Sequence, residues 1–140
     1  MQAAERPENE SQRLTALHAL RILDTPIDDA FEQLTQLACD LFDVPTALVS
    51  LVDEERQWFK SHHGLDACET RREISFCAHA VAANTPLVIE DTGDDPRFAD
   101  NPLVQGMPHI RFYAGHPLRP TGELAVGTLC LISDRPRTFS

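Results

Sequence analysis

The chain has few of the features by which many functions are recognised. Basic charge is scarce: twelve Lys and Arg stand against twenty-two Asp and Glu, a formal charge of −10 over 140 residues, and Lys60 is the single lysine. A sequence-independent grip on phosphate backbones needs clustered cations, so nucleic acid is not an expected partner. No window approaches the roughly 18 apolar residues of a membrane span, and the polar start, residues 1–10, lacks the apolar core of a signal peptide; the expected location is the cytoplasm. The four cysteines, Cys39, Cys68, Cys77 and Cys130, form no Cys-x-x-Cys pair. That excludes a zinc knuckle and a thioredoxin-like motif, and in a reducing compartment leaves four free thiols. No glycine-rich phosphate loop, Ser-His-Asp order or His-Glu-x-x-His motif is present, so no catalytic residue is assigned. His62 and His63 face opposite ways on a strand, and His109 and His116 are an odd number of residues apart, so no metal site is expected either.

What is present fits one domain, because 140 residues with 42% hydrophobic content suffice for a single core. Leucines at 14, 17, 20 and 23 predict a helix over residues 11–23, preceded by a flexible segment, residues 1–10. Thr25-Pro26 ends it, and Asp28 and Asp29 suit the start of a second helix that ends near Asp43. Phe31, Leu34, Ala38, Leu41 and Phe42 recur at helical spacing and are expected to face a core. The apolar run 46–52, bounded by Pro45 and an acidic turn, predicts a buried strand forming a hairpin with 56–64. A second hairpin pairs 110–118 with 124–132, and Leu87-Val88-Ile89 is a short fifth strand. The order predicts an α+β domain with an antiparallel sheet. Between the hairpins, residues 91–102 form a long loop rich in Asp and Pro, of a length often given over to function.

The stretch Ser75-Phe76-Cys77-Ala78-His79-Ala80-Val81 places a thiol two residues from an imidazole. Ser75 is an apt N-cap for a helix to about Ala83. At ~100° per residue Cys77 and His79 then diverge by about 160°, so they make neither a dyad nor a shared metal site. Cys77 lies in a first helical turn, which favours a reactive thiol, but a small buried hydrophobe is the competing reading. His79 is open between a packed histidine and a pocket residue. Alternation along 110–118 puts Arg111 and Tyr113 on one face, where they suit a small polar ligand, unless Arg111 pairs with Asp91 or Asp95. Trp58 stacks on a ligand or covers the sheet.

Several segments together resemble the bacterial GAF domain, a sensory module found near the N-terminus of histidine kinases and diguanylate cyclases. They are Leu20-Arg21-Ile22-Leu23-Asp24-Thr25-Pro26, Val49-Ser50-Leu51-Val52-Asp53, Arg56-Gln57-Trp58-Phe59-Lys60-Ser61, Ile74-Ser75-Phe76-Cys77-Ala78-His79-Ala80, the run 95–104, Ile110-Arg111-Phe112-Tyr113-Ala114-Gly115 and Gly127-Thr128-Leu129-Cys130. The resemblance implies a single GAF domain over residues 11–138. Its fold would be PAS/profilin-like: a central antiparallel sheet of five to six strands, helices on one face and a ligand pocket on the other. It also implies signal relay through flanking helices in a homodimer joined by the N-terminal helix, with a C-terminal signalling helix and an output domain in a longer parent protein. The ligand-binding candidates are Trp58, Phe76, Cys77, His79, Asp91, Arg111, Tyr113 and His116. No cofactor motif is present: the Asn-Lys-Phe-Asp-Glu signature of cyclic-nucleotide binders is absent, Ala78 separates the Cys and His that bilin binders place together, and haem is equally unsupported. Two alternatives stand beside the sensor: an interaction module with a vestigial pocket, and a thiol redox enzyme of the free methionine sulfoxide reductase kind using Cys77 with Cys68 or Cys130.

Overall fold

The computed structural model describes residues 2–120 and 122–139. Six strands form one sheet: β1 (Thr46–Val52), β2 (Arg56–His63), β3 (Glu69–Arg71), β4 (Leu87–Ile89), β5 (Phe112–Leu118) and β6 (Gly127–Ser133), in the order β3-β2-β1-β6-β5-β4. Every neighbouring pair is antiparallel. Strand β1 lies beside β6 at the centre and every one of its residues is buried, as its unbroken apolar run requires. Four helices accompany the sheet: α1 (Glu10–Ala19), α2 (Asp29–Phe42), α3 (Phe76–Ala83) and the short α4 (Pro102–Gln105). Helices α1 and α2 cover one face, where Leu17 packs with Leu51, Trp58 and Val126, and Ala38 and Cys39 pack with Ala47, Phe112 and Leu131. The other face holds α3 over Leu48, Val52, Phe59, Tyr113, Cys130 and Ile132.

Two expectations about the helices change. The first helix ends at Ala19 rather than Leu23, and Arg21 (φ 52°) and Asp24 (φ 60°) turn the chain. Leucines every third residue drift around a helix, so Leu17 is buried while Leu20 is 42% exposed; leaving the helix lets Ile22 and Leu23 fold back onto the Leu17 cluster. In α2 the buried stripe is Thr35, Ala38 and Cys39, and Leu34, Leu37 and Leu41 lie exposed beside it. The wall of the sheet takes small side chains here because Thr35 Oγ1 is 2.9 Å from Ser61 Oγ, a close approach that long leucines would prevent. Asp28 caps this helix, accepting from the Ala30 N–H at 2.9 Å.

An irregularity in the β1–β2 register leaves Lys60 without a cross-strand partner, between Ser61 opposite Val49 and Phe59 opposite Ser50. Lys60 thereby joins Ser61 on the α2 side, where its ammonium donates to Thr25 Oγ1 (2.8 Å) and the Pro26 carbonyl (2.7 Å). The single lysine is thus a structural anchor for the α1–α2 connection. The first residues run beside α3: the Gln2 N–H donates to the Arg97 carbonyl at 3.2 Å, and Met1 lies outside the described residues.

Candidate functional site

The site grows from the first turn of α3. Ser75 caps it, accepting from the Ala78 N–H at 3.0 Å while donating to Gln57 Oε1 at 2.7 Å. Gln57 in turn accepts from Ser50 Oγ (3.2 Å) and donates to Thr70 Oγ1 (2.6 Å), so strands β1, β2 and β3 all fix the helix start. Phe76 and Cys77 then point at the sheet, and both are 2% exposed.

Cys77 Sγ sits in a ring of donors carried by the sheet. Thr128 Oγ1 donates to it at 3.0 Å, Tyr113 Oη at 3.2 Å, and Cys130 Sγ lies at 3.9 Å. Alternation explains the convergence, because Thr128 and Cys130 of β6 and Tyr113 of β5 share the α3 face. Burial pushes the Cys77 thiol up, but the bonds from Cys130, Thr128 and Tyr113 outweigh it and hold the thiol below its ordinary value. Cys130 moves the opposite way, well above its ordinary value, because its proton is held by Cys77 and because it is buried. Burial first, and then the neighbouring sulfurs, raise Tyr113 well above the usual phenol range, so its hydroxyl keeps its proton and donates.

A strap, residues 91–102, packs against Phe76. Phe98 stacks on Phe76 with ring centroids 4.3 Å apart, and Phe76 lies 5.2 Å from the Tyr113 ring. The strap is pinned by buried polar residues: Thr92 Oγ1 donates to the Ile110 carbonyl (2.8 Å), and Asn101 donates to the Ile74 carbonyl (3.1 Å) while capping α4. What remains open is a cavity of about 20 Å³ beside Cys77, bounded by Leu48, Gln57, Phe59, Phe76 and Tyr113. That is room for about one water molecule.

The predicted site residues divide into four groups. Phe76, Cys77 and Tyr113 meet at the cavity. His79, on the outer side of α3, donates from Nε2 to the Gln2 carbonyl (3.0 Å) and meets Phe98 edge-on, and burial lowers its pKa below the usual histidine value. Arg111 donates to Asp91 Oδ1 at 3.0 Å at the outer end of the strap, so its charge is already met there. Trp58 and His116 lie on the opposite face of the sheet: Trp58 packs on Leu17, and His116 borders an apolar groove of about 240 Å³ with Phe42, Val88 and Leu129. Of the two thiols offered as partners for Cys77, Cys130 is beside it and Cys68 is exposed. Phe98, which packs on Phe76, and Thr128, which donates to Cys77, are not among the site candidates read from the sequence, although both lie in segments that carry the resemblance. Phe98 lay in an irregular loop, and Thr128 becomes visible only once β6 is set in register with β5.

Among the described residues no group of three His, Cys, Asp or Glu could hold a metal ion, and no helix is long and apolar enough to cross a membrane. Comparison with known proteins agrees with the architecture. Over 131 residues the chain is 44% identical to a cyclic di-GMP phosphodiesterase of Pseudomonas aeruginosa, a match covering 94% of this chain and 22% of that protein. The chain therefore spans about a fifth of that relative's length. Among solved structures, the GAF domain of an Acinetobacter phosphoenolpyruvate-protein phosphotransferase superposes with a TM-score of 0.65 at 15% identity, covering 93% of this chain and 80% of that one. A free methionine-R-sulfoxide reductase from Neisseria meningitidis superposes with a TM-score of 0.65 at 18% identity, covering 100% of this chain and 85% of that one. The family model described as GAF domain matches residues 26–140. The chain belongs to the GAF domain family.

Proposed function

We propose that this domain is the non-catalytic sensory module of a bacterial cyclic di-GMP signalling protein, taking a small ligand on the α3 face and relaying the change through its helices to an output domain. The observation that carries the reading is the small apolar cavity floored by a few convergent polar atoms, the usual composition of a binding site. The 44% identity to part of a phosphodiesterase supports the signalling context. Size decides among ligands. Drug-sized molecules need roughly 300–1,000 Å³, and the cavity offers about 20 Å³. A bilin, a haem, a cyclic nucleotide or a free methionine sulfoxide does not fit this cavity, so a ligand of that size must displace part of its wall, to which Leu103, Pro108 and Ile110 contribute.

Native mass spectrometry of the purified chain, followed by melting in the presence of small carboxylates and amino acids, tests this. A bound mass, or a rise in Tm that Tyr113→Phe reduces and His116→Ala leaves intact, supports the reading. No bound mass and no shift with any compound overturns the ligand and leaves a relay module with a sealed pocket.

A second reading, dimerisation, rests on the exposed leucines. They lie on α2 rather than on the N-terminal helix: Leu34, Leu37 and Leu41 are 41%, 54% and 70% exposed. A second copy of the chain packed along this stripe would bury them. The double variant Leu37→Lys, Leu41→Lys is expected to sediment as a monomer with its fold intact, where the parent chain sediments as a dimer; a parent chain that is monomeric at all concentrations removes the idea.

A further inference from the structure

We propose that Cys77 and Cys130 form a peroxide-reactive dithiol, in which Cys77 is the attacking sulfur, Cys130 the resolving one, and the small cavity beside Cys77 the approach for the oxidant. Three observations carry this. The sulfurs lie 3.9 Å apart, in a protein whose other two cysteines, Cys39 and Cys68, sit elsewhere. Cys77 is in the first turn of an eight-residue helix and accepts from two hydroxyls, Thr128 and Tyr113, an arrangement that stabilises a thiolate. The cavity against it, about 20 Å³, holds about one water molecule, so only an oxidant little larger than water reaches the sulfur without displacing its wall, and the bulky disulfides and sulfoxides that oxidise open thiols are excluded.

The chemistry balances with hydrogen peroxide as the named oxidant. The Cys77 thiolate attacks one peroxide oxygen, the O–O bond breaks, and hydroxide leaves, giving a sulfenic acid. Cys130 then attacks the Cys77 sulfur; the S–S bond forms, the S–O bond breaks, and the second hydroxide departs. The protons that the two thiols release convert both hydroxides to water. The dithiol loses two electrons, and peroxide is reduced to two waters. Thr128 and Tyr113 donate to the thiolate before attack and stand beside the sulfenic oxygen after it. To bond, the sulfurs must close from 3.9 Å to about 2 Å. The start of α3 is thereby drawn toward β6, away from the Phe98 strap.

This assignment rests on the sulfur geometry and not on the ligand reading, and the two are read out separately, one by thiol state and the other by melting. Reduced protein is treated with graded hydrogen peroxide, unfolded in N-ethylmaleimide, digested and analysed by mass. At doses that leave exposed Cys68 alkylated, a Cys77–Cys130-linked peptide lighter by two hydrogens is the expected result. In Cys130→Ser the same dose is expected to leave Cys77 as a sulfenic acid trapped by dimedone, and in Cys77→Ser Cys130 is expected to stay reduced. Oxidation of Cys68 with Cys77 and Cys130 both alkylated overturns the proposal, as does a link that forms only in denaturant. The wild-type measurement decides even where a variant does not fold.

Discussion

Tyr113 depends on a residue two positions along its own strand. Its ring lies across Gly115, and a Cβ built at Gly115 would run into Tyr113 Oη, Cζ and Cε1. Glycine is therefore what lets the phenol lie along the sheet and reach Cys77. Gly115→Ala is expected to push the ring out, with a loss of roughly 1–3 kcal/mol typical of overpacking. Tyr113→Phe keeps the ring and removes the hydroxyl that donates to Cys77, an expected loss of about 1 kcal/mol. Urea titration separates the two. In both variants the thiol of Cys77 is expected to titrate at higher pH than in the parent, because a donor to the thiolate has gone; an unchanged thiol titration would detach Tyr113 from Cys77.

Among the elements, the tie between α1 and the approach to α3 rests on one carboxylate. Glu10, the first residue of α1, accepts from Arg13 Nε at 2.9 Å and Arg72 Nη2 at 3.1 Å, while Arg13 donates to the Val52 carbonyl (2.7 Å) and Arg72 to the Asp53 carbonyl (3.0 Å). Arg13 is 1% and Arg72 7% exposed, so both guanidiniums depend on that anion. Three residues on from Arg72, Ser75 caps α3, which makes the cluster the shortest physical link between the first helix and the cavity. Glu10→Gln leaves two buried cations short of charge and is expected to cost about 3 kcal/mol, near the low end for a broken buried pair. A change below about 0.5 kcal/mol in denaturant titration would show the cluster to be solvated. None of this was legible in the sequence, where Glu10 belongs to a polar leader and Arg72 to an irregular stretch. The elements themselves were legible wherever one period dominated, as in the β1 run, the Ser75-capped helix and both hairpins. Pattern failed at α2, because leucines at helical spacing also suit an outer face, and at β3, three residues without apolar alternation.

At the scale of the whole molecule the histidine and the carboxylates shifted by the fold share one direction, toward loss of stability in acid. His79 is the first to count. Burial lowers its pKa below 6.5, so as pH falls through that value the unfolded chain takes up a proton that the fold resists, and stability declines. Asp95 is lowered by its bond from Arg97, and Asp53 is lowered because His18, the Glu54 backbone and Arg56 outweigh its burial. Glu10 moves far: burial raises it, but Arg72 and Arg13 prevail and lower it from 4.5 to about 2. A carboxylate depressed in the fold contributes stability that is complete above its unfolded pKa and lost as pH falls toward its folded one. Its share, at most about 3 kcal/mol for that shift, is therefore present at neutral pH and disappears between about 4.5 and 2. Urea midpoints measured from pH 7.5 downward are expected to fall in two stages, a shallow one beginning near 6.5 and a steeper one below 4.5. His79→Gln is expected to remove the first stage and leave the second. Glu10→Gln is expected to lower the neutral-pH midpoint and flatten the second, because its penalty is paid at every pH. Midpoints that stay level down to pH 4.5 and fall equally in all three proteins would mean that the acid response comes from the exposed carboxylates, and that neither the α3 histidine nor the α1 carboxylate senses pH through the fold.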